Sequence, residues 1–557
     1  MKRIILISVF AVAALLVVHV RSVAQKSKSD MRPNIILIMV DDMGYSDLGC
    51  YGSEIHTPNL DRLASEGIRF TEFYNNFICA PTRASLLTGQ YPHKAGVGYF
   101  DVNLGLPAYQ GYLNRESLTI GEVLQSAGYS TLLSGKWHVG KDSIQHWPNQ
   151  RGFDKFYGIV GGGANYFDSK PMIVGGREYP VVLVKNNERL NPEPGSYYFT
   201  DEVASNAIEF LDEQDKTGKP FFLYVAFNAP HWPLQALPED IAKYKGKYDI
   251  GWDSLRTLRI AKQKKLGIID PDQTLTERDP EVPFWEKLTY DEQQFWKAKM
   301  EVYAAMVDRM DQGVGRILEK LKALEKDENT LVIFISDNGA QGGFNSFNGQ
   351  RTGLVRNSGP VGTAGSFEYQ EQPWAHLSNT PLRNYKGRPY EGGFRTPFIA
   401  WFPKKIKGGL ITKGTGHLID LAPTFYQLAG AKYPASYKGR AVNALPGRSL
   451  LPVLTEGAKQ VDRDEPLFWE RAGNRAVRKG KWKLVSIYPN AGWELYDLDK
   501  DRGETTDLAA QHPEVVRDLA WEYQKWAVRT GVVDYETIKP GNVPQVDPPR
   551  NRTARNN

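Results

Sequence analysis

Five short runs of this 557-residue chain stay apolar over most consecutive positions: Ile35 to Val40, Thr131 to Ser134, Phe221 to Ala226, Leu331 to Ser336 and Phe398 to Phe402. A strand with one face in water alternates apolar with polar residues, so strands like these must be covered on both faces. Helical spacing fills the intervals, over Pro58 to Glu66, Thr119 to Ala127, Thr200 to Glu213 and Tyr290 to Leu324. The alternation calls for an α/β fold, with a large, mostly parallel sheet sandwiched by helices. After about Leu454 the texture changes. Pro466 to Trp469, Arg475 to Ile487 and Trp493 to Leu498 read as antiparallel strands joined by turns at Gly473-Asn474, Lys479-Gly480 and Asn490-Ala491-Gly492, and an amphipathic helix follows from Pro513 to Arg529. The expected organisation is a main domain over 25–454, a smaller antiparallel-sheet-plus-helix subdomain over 455–535, and a loosely ordered tail over 536–557.

What stands just beyond the strands is chemically loaded. Ile35 to Val40 runs into Asp41-Asp42, and Leu331 to Ser336 ends in Asp337-Asn338. Thr131 to Ser134 leads to Lys136 and His138, and Phe221 to Ala226 leads to His231. Open α/β sheets bind ligands outside the carboxyl ends of their strands. Four strands therefore deliver carboxylates, an amide, a lysine and two histidines to one edge.

Residues 1–24 read as a secretory signal, with Lys2 and Arg3 before the apolar stretch Ile4 to Val18 and a small-residue cleavage site at Ser22-Val23-Ala24. That stretch is short for a stable membrane span. The chain is expected to be exported, periplasmic or secreted. Removing the signal takes away Lys2, Arg3 and Arg21 from a formal charge of +5. No long block of like charge remains to suggest nucleic acid. With two cysteines, Cys50 and Cys79, an exported chain cannot depend on a disulfide framework. Cys50 reads as a small buried hydrophobe.

Cys79 opens the run Cys79-Ala80-Pro81-Thr82-Arg83-Ala84-Ser85-Leu86-Leu87-Thr88-Gly89. It places a thiol at the mouth of a helix, where open N–H groups attract anions, with Arg83 four residues on. The run resembles the signature of type I sulfatases, C-x-P-x-R followed by T-G. The likeness extends through Pro33-Asn34 to Gly49, Thr57-Pro58-Asn59-Leu60-Asp61, Gly128-Tyr129 through Gly135-Lys136-Trp137-His138-Val139-Gly140-Lys141, Ser336 to Gly339, Lys386-Gly387 with Tyr390 to Pro397, and Glu494 to Leu498. Resemblance to this family implies an alkaline-phosphatase-like fold, hydrolysis of sulfate esters, and conversion of Cys79 to formylglycine (3-oxoalanine) by a maturating enzyme.

Asp41, Asp42, Asp337 and Asn338 offer only oxygen, which suits a hard cation and disfavours Zn²⁺. The resemblance implies one Ca²⁺, with position 79 among its ligands. It also implies that an aldehyde hydrate at position 79 is the nucleophile, that His138 takes up a proton when sulfate leaves, and that His231 protonates the departing oxygen. Arg83, Lys136 and Lys386 would neutralise and orient the sulfate. The substrates expected are sulfated carbohydrates and small aryl sulfates. Two further readings share the scaffold: a hydrolase of phosphate diesters or phosphonate monoesters, and a catalytically silent protein that captures sulfated glycans.

Trp232, Tyr99, Trp374 and His376 are each either rim or core-packing residues, and His93 either lines the rim or is packed or solvent-exposed. The long Gly339 to Gln372 segment lies beside the expected site. Asp497, Asp499 and Asp501 read as an acidic turn, because Arg502 stands where a calcium loop needs glycine.

Overall fold

The computed structural model describes residues 32–539 apart from 175–176, 193–194, 196, 344–358 and 490–491. The signal segment, nearly all of the expected tail and the middle of the Gly339 to Gln372 segment lie outside the described residues.

A ten-stranded sheet organises the main body. From one edge it runs Leu410–His417, Ile68–Tyr74, Arg395–Trp401, Thr330–Ser336, Asn34–Val40, Phe221–Ala226, Ser130–Gly135, Lys155–Ile159, Leu183–Lys185 and Glu188–Arg189. The five strands from Thr330–Ser336 to Lys155–Ile159 are mutually parallel. Arg395–Trp401, which contains the expected run from Phe398, is antiparallel to both its neighbours.

The continuous apolar runs have a direct cause. Ile36, Ile38 and Val40 face one core with the long helix Tyr290–Ala323 and the helix Phe199–Asp215. Ile35, Leu37 and Met39 face a second core with the helices Cys79–Thr88, Ile120–Ser126 and Leu421–Ala429. Every residue of Asn34–Val40 is buried. At roughly 2 kcal/mol per buried large aliphatic side chain, the two faces together hold the centre of the sheet in place.

The C-terminal part forms a second, four-stranded antiparallel sheet, Leu467–Arg471, Asn474–Lys479, Trp482–Ser486 and Glu494–Asp497, covered by the helix Pro513–Thr530. The run Arg475 to Ile487 divides at Gly480, whose φ of 56° turns the chain. This sheet shares a core with Tyr74, Phe77, Tyr91 and Phe394, so it packs against the residues that lead into Cys79. The tail expected from residue 536 instead begins in a helical turn, Tyr535–Ile538. Ile538 is buried beside Leu104 and Tyr109, which supplies the apolar contact that orders it. Among the described residues, no helix is long and apolar enough to cross a membrane.

Candidate active site

Sheet register assembles the site. Val40 pairs with Ser336, Met39 with Ala226, and Gly135 with Ala226, so the residues that follow leave the sheet side by side. Asp337 N donates to Val40 O at 3.0 Å, Lys136 N to Ala226 O at 2.8 Å, and Asp41 N to Ala229 O at 3.2 Å. Asp42 and His138 turn away with φ of 65° and 63°, a left-handed conformation that side-chain-bearing residues seldom adopt outside functional turns. The helix that starts at Cys79 is tied to the acidic strand by Thr82, whose Oγ1 donates to Asp337 O at 2.7 Å, and by Asn75, whose Nδ2 donates to Ser336 O at 3.0 Å.

The charges then interlock. Arg83 Nη2 lies 3.1 Å from Asp337 Oδ2 and 3.4 Å from Asp41 Oδ2, and its Nη1 donates to Lys136 O at 3.0 Å. Lys136 Nζ donates to Asp41 Oδ2. Lys386 Nζ and Asn338 Nδ2 both donate to Asp42 Oδ1, at 2.6 and 2.7 Å. His231 Nε2 stands 3.7 Å from Asp42 Oδ2, while its Nδ1 bonds Trp232 O at 2.6 Å. With Nδ1–H committed to a carbonyl, Nε2 is the nitrogen free to exchange a proton. All of these side chains are buried, that of Lys386 being 7% exposed.

Three oxygens in this cluster have no hydrogen-bond partner: Asp41 Oδ1, Asp42 Oδ2 and Asn338 Oδ1. Bare oxygens of buried carboxylates are costly unless something positive meets them. Burial and the neighbouring charges of Asp41 and Asp42 hold the Asp337 carboxyl well above its usual range, against Arg83 and Lys136. Burial alone would raise Asp41 too, but Lys136, His231, Arg83 and Lys386 pull it below the usual carboxylate range. A divalent cation among these oxygens would meet the unpaired atoms and return Asp337 to its charged form. The donor set therefore fits a hard cation. His231 Nε2 also lies close enough to Asp41 and Asp42 to join them around an ion.

Burial, with Asp41 and Asp337, pushes the Cys79 thiol up to about 11 against Lys136 and Lys386. Unmodified, it stays protonated and is a poor nucleophile. Burial brings His231 down to about 4, with Asp41 and Asp42 opposing. His138 is also brought to about 4, by burial and then Lys136, with Asp101 opposing.

Cys79, Arg83, Lys136, His138, His231, Lys386, Asp41, Asp42, Asp337 and Asn338 thus gather at the strand ends. Of the rim candidates, Trp232 is half-buried and lies 5.5 Å from His231, ring to ring. Trp374 is not a rim residue: it is fully buried against Trp252 and Trp285, since an indole among indoles contributes core packing. His376 is likewise buried, on the same helix. Tyr99 stacks on Tyr535 and lies under Arg471. His93 is a packing residue whose Nε2 meets Glu470 at 2.7 Å. Asp497 pairs with Lys481, and Asp501 accepts from Thr505 and Thr506. Two contributors escaped the sequence reading. Asp101 stands 3.4 Å from His138 Nε2, and a Cβ on Gly162 would fall 2.5 Å from the same atom. Neither carries a signal in the sequence: Lys141, in the Gly135 to Lys141 run, pairs with Asp101 only in the folded chain.

Buried carboxylates, three cationic side chains and two histidines at the ends of parallel strands form an arrangement suited to hydrolysing an anionic ester. The sulfatase family model matches residues 33–431, and the model for the C-terminal part of N-sulphoglucosamine sulphohydrolase matches 385–527. An uncharacterised sulfatase of Schizosaccharomyces pombe is 36% identical over 540 residues, covering 91% of this chain and 96% of its own. The arylsulfatase of Klebsiella aerogenes is 36% identical over 429 residues, covering 75% of this chain and 91% of its own. The crystal structure of Ps i-CgsB superposes with a TM-score of 0.65 at 30% identity, covering 89% of this chain and 93% of that one. Ps i-CgsB has also been solved in complex with k-i-k-neocarrahexaose. The chain belongs to the sulfatase family, and it is an enzyme that hydrolyses sulfate esters.

Proposed function

We propose that this sulfatase acts on sulfated carbohydrates, with Cys79 converted to formylglycine and one Ca²⁺ held by Asp41, Asp42, Asp337, Asn338 and position 79. The observation that carries this reading is the trio of partnerless buried oxygens, Asp41 Oδ1, Asp42 Oδ2 and Asn338 Oδ1, beside a thiol too basic to react. The converted residue supplies an oxygen nucleophile, and the cation supplies charge neutralisation.

The chain's own side chains do the rest. Arg83 and Lys136 hold the acidic cluster rigid and spread positive charge over the sulfate. Lys386, kept above the ordinary ammonium range by Asp42 despite burial, stays charged against sulfate and leaving group. His231, once protonated at Nε2, donates that proton to the departing oxygen, and His138 takes up a proton as sulfate is released. The loop bearing His231 is braced by Tyr166, whose OH donates to His231 O at 2.8 Å.

A carbohydrate substrate is supported by the relative named N-acetylgalactosamine-6-sulfatase in Rattus norvegicus, 30% identical over 87% of this chain and 78% of its own. It is also supported by the sugar complex of Ps i-CgsB. Small aryl sulfates, with better leaving groups, are turned over as well. Residues 1–24 act as an export signal, 25–454 form the catalytic domain and 455–535 the accessory subdomain, and a maturating enzyme converts Cys79.

Turnover of defined sulfated oligosaccharides in ¹⁸O water, with mass spectrometry across Cys79, tests the reading. It requires a formylglycine mass and label in the released sulfate. Label in the freed alcohol, or activity from a peptide that carries only the thiol, rejects it.

A further inference from the structure

His138 is gripped on three sides. Phe100 meets its ring edge-on at 5.1 Å. Gly162 covers another side, where any Cβ would fall 2.5 Å from Nε2. Asp101 Oδ2 faces Nε2 at 3.4 Å, from a side chain that is only 10% exposed. Lys141, three residues beyond His138, holds the same acid: its Nζ donates to Asp101 Oδ2 at 2.6 Å and to Asp101 O at 2.7 Å. The other ring nitrogen, His138 Nδ1, is buried with no partner.

A neutral imidazole carries one N–H, and a carboxylate can only accept. A carboxylate at Nε2 therefore selects the Nε2–H tautomer and leaves the Nδ1 lone pair exposed to reaction. The segment that carries Asp101 is itself held from the far end of the chain. Tyr99 stacks on Tyr535, Val533 N donates to Tyr109 OH at 3.2 Å, and Leu104, Ala108 and Tyr109 form a small core with Ile538.

We propose that Asp101 is a positioning residue for sulfate-ester hydrolysis: it fixes His138 with Nε2–H inward and Nδ1 as the proton acceptor, and Lys141 keeps Asp101 aimed. The inference rests on the reading of His138 as the proton-accepting group. The charged groups around His138 fit the task. Burial, Lys136 and Arg83 keep it neutral at neutral pH, while Asp101 stabilises the imidazolium once Nδ1 has taken a proton. Lys141, ion-paired to Asp101, tempers that stabilisation. The proton passes to solvent before the next turnover.

Asp101→Asn tests the assignment, because an amide can donate to Nε2 and force the opposite tautomer. In long-range ¹⁵N histidine spectra of the wild-type enzyme, the signal lost in His138→Gln has the Nε2–H pattern; in Asp101→Asn it changes to Nδ1–H. With it, kcat falls about 10²-fold at little change in KM, and the acidic limb of the kcat profile moves to lower pH. Asp101→Glu recovers part of the loss. Wild-type tautomer in Asp101→Asn overturns the proposal whether or not kcat falls, since a loss without a tautomer change is merely structural. So does kcat within twofold of wild type. Mass spectrometry of the Cys79 peptide and the kcat of His138→Gln isolate the underlying reading: an unconverted active enzyme, or a fully active His138→Gln, rejects the proton-acceptor role itself.

Discussion

Lys386 Nζ donates to Asp42 Oδ1 at 2.6 Å, while the second oxygen of that carboxylate is buried and bare. Asn338 adds a second donor to the same Oδ1 at 2.7 Å. One oxygen is thus doubly engaged, and the other, like Asp41 Oδ1 and Asn338 Oδ1, has no hydrogen-bond partner. Chelation is expected to abolish turnover and lower Tm, and Ca²⁺ at 100-fold over its Kd restores about 2.7 kcal/mol of stability. Zn²⁺ should restore neither. In Asp42→Ala the Tm no longer responds to Ca²⁺. A wild-type melting curve indifferent to both chelator and Ca²⁺ would count against the cation site.

Gly161 and Gly162 are neighbours with opposite demands. A Cβ on Gly161 meets nothing within 4 Å, whereas one on Gly162 would fall 2.5 Å from His138 Nε2 and 2.7 Å from its Cε1. The ring cannot yield, with Phe100 at 5.1 Å on another side. Gly162→Ala should therefore lower kcat by about 10²-fold and cost about 1–3 kcal/mol of stability. Gly161→Ala should stay within about twofold of wild type in kcat. Equal kcat values for the two variants would separate Gly162 from His138.

His231 presents Nε2 to the site while Nδ1 is bound to Trp232 O at 2.6 Å. If it protonates the leaving oxygen, its removal hurts poor leaving groups most, because good ones depart without help. Across aryl sulfates of graded phenol pKa, His231→Ala should be nearly harmless at the acidic end and cost about 10²- to 10⁴-fold at the basic end. A uniform loss along the series would remove His231 from the acid role.

The centre of the fold was legible because burial on both sheet faces writes an unbroken apolar run. Ile68–Tyr74 escaped notice, since Arg69, Thr71 and Glu72 interrupt it and their partners come from remote elements. The helix Gly251–Lys265 was hidden by its charge: Arg256 and Arg259 are buried, and Arg259 bonds Asp47 at 2.7 Å and Glu54 at 2.8 Å. At the site, residues that share a short run with a sheet strand or with Cys79 could be read directly. Asp101 could not, because it reaches His138 only after the chain has folded back and lies in no recognisable spacing. The sequence leaves Trp374 open between rim and core for a related reason: it shows an aromatic near a loop but not the two indoles it packs against.

Glu72 crosses from the main sheet to the C-terminal one. Its Oε2 lies 2.5 Å from Arg478 and its Oε1 3.2 Å from Arg502, with both ends buried. Burial alone would raise its carboxyl, but Arg478, Arg395 and Arg502 bring it down to about 2 from the ordinary 4.5. A carboxylate lowered on folding contributes stability above its unfolded value and loses it as pH falls through the folded one. The difference amounts to about 3 kcal/mol at neutral pH. Glu72→Gln should therefore unfold more easily than wild type at pH 7 by that order, and the gap should shrink as pH drops from about 4.5 towards 2. Denaturant titrations of both proteins across that range check it. A gap that persists unchanged at the acidic end would mean that the interface between the two sheets draws its strength from packing around Phe394 and Trp469, and that this ion pair adds nothing to it.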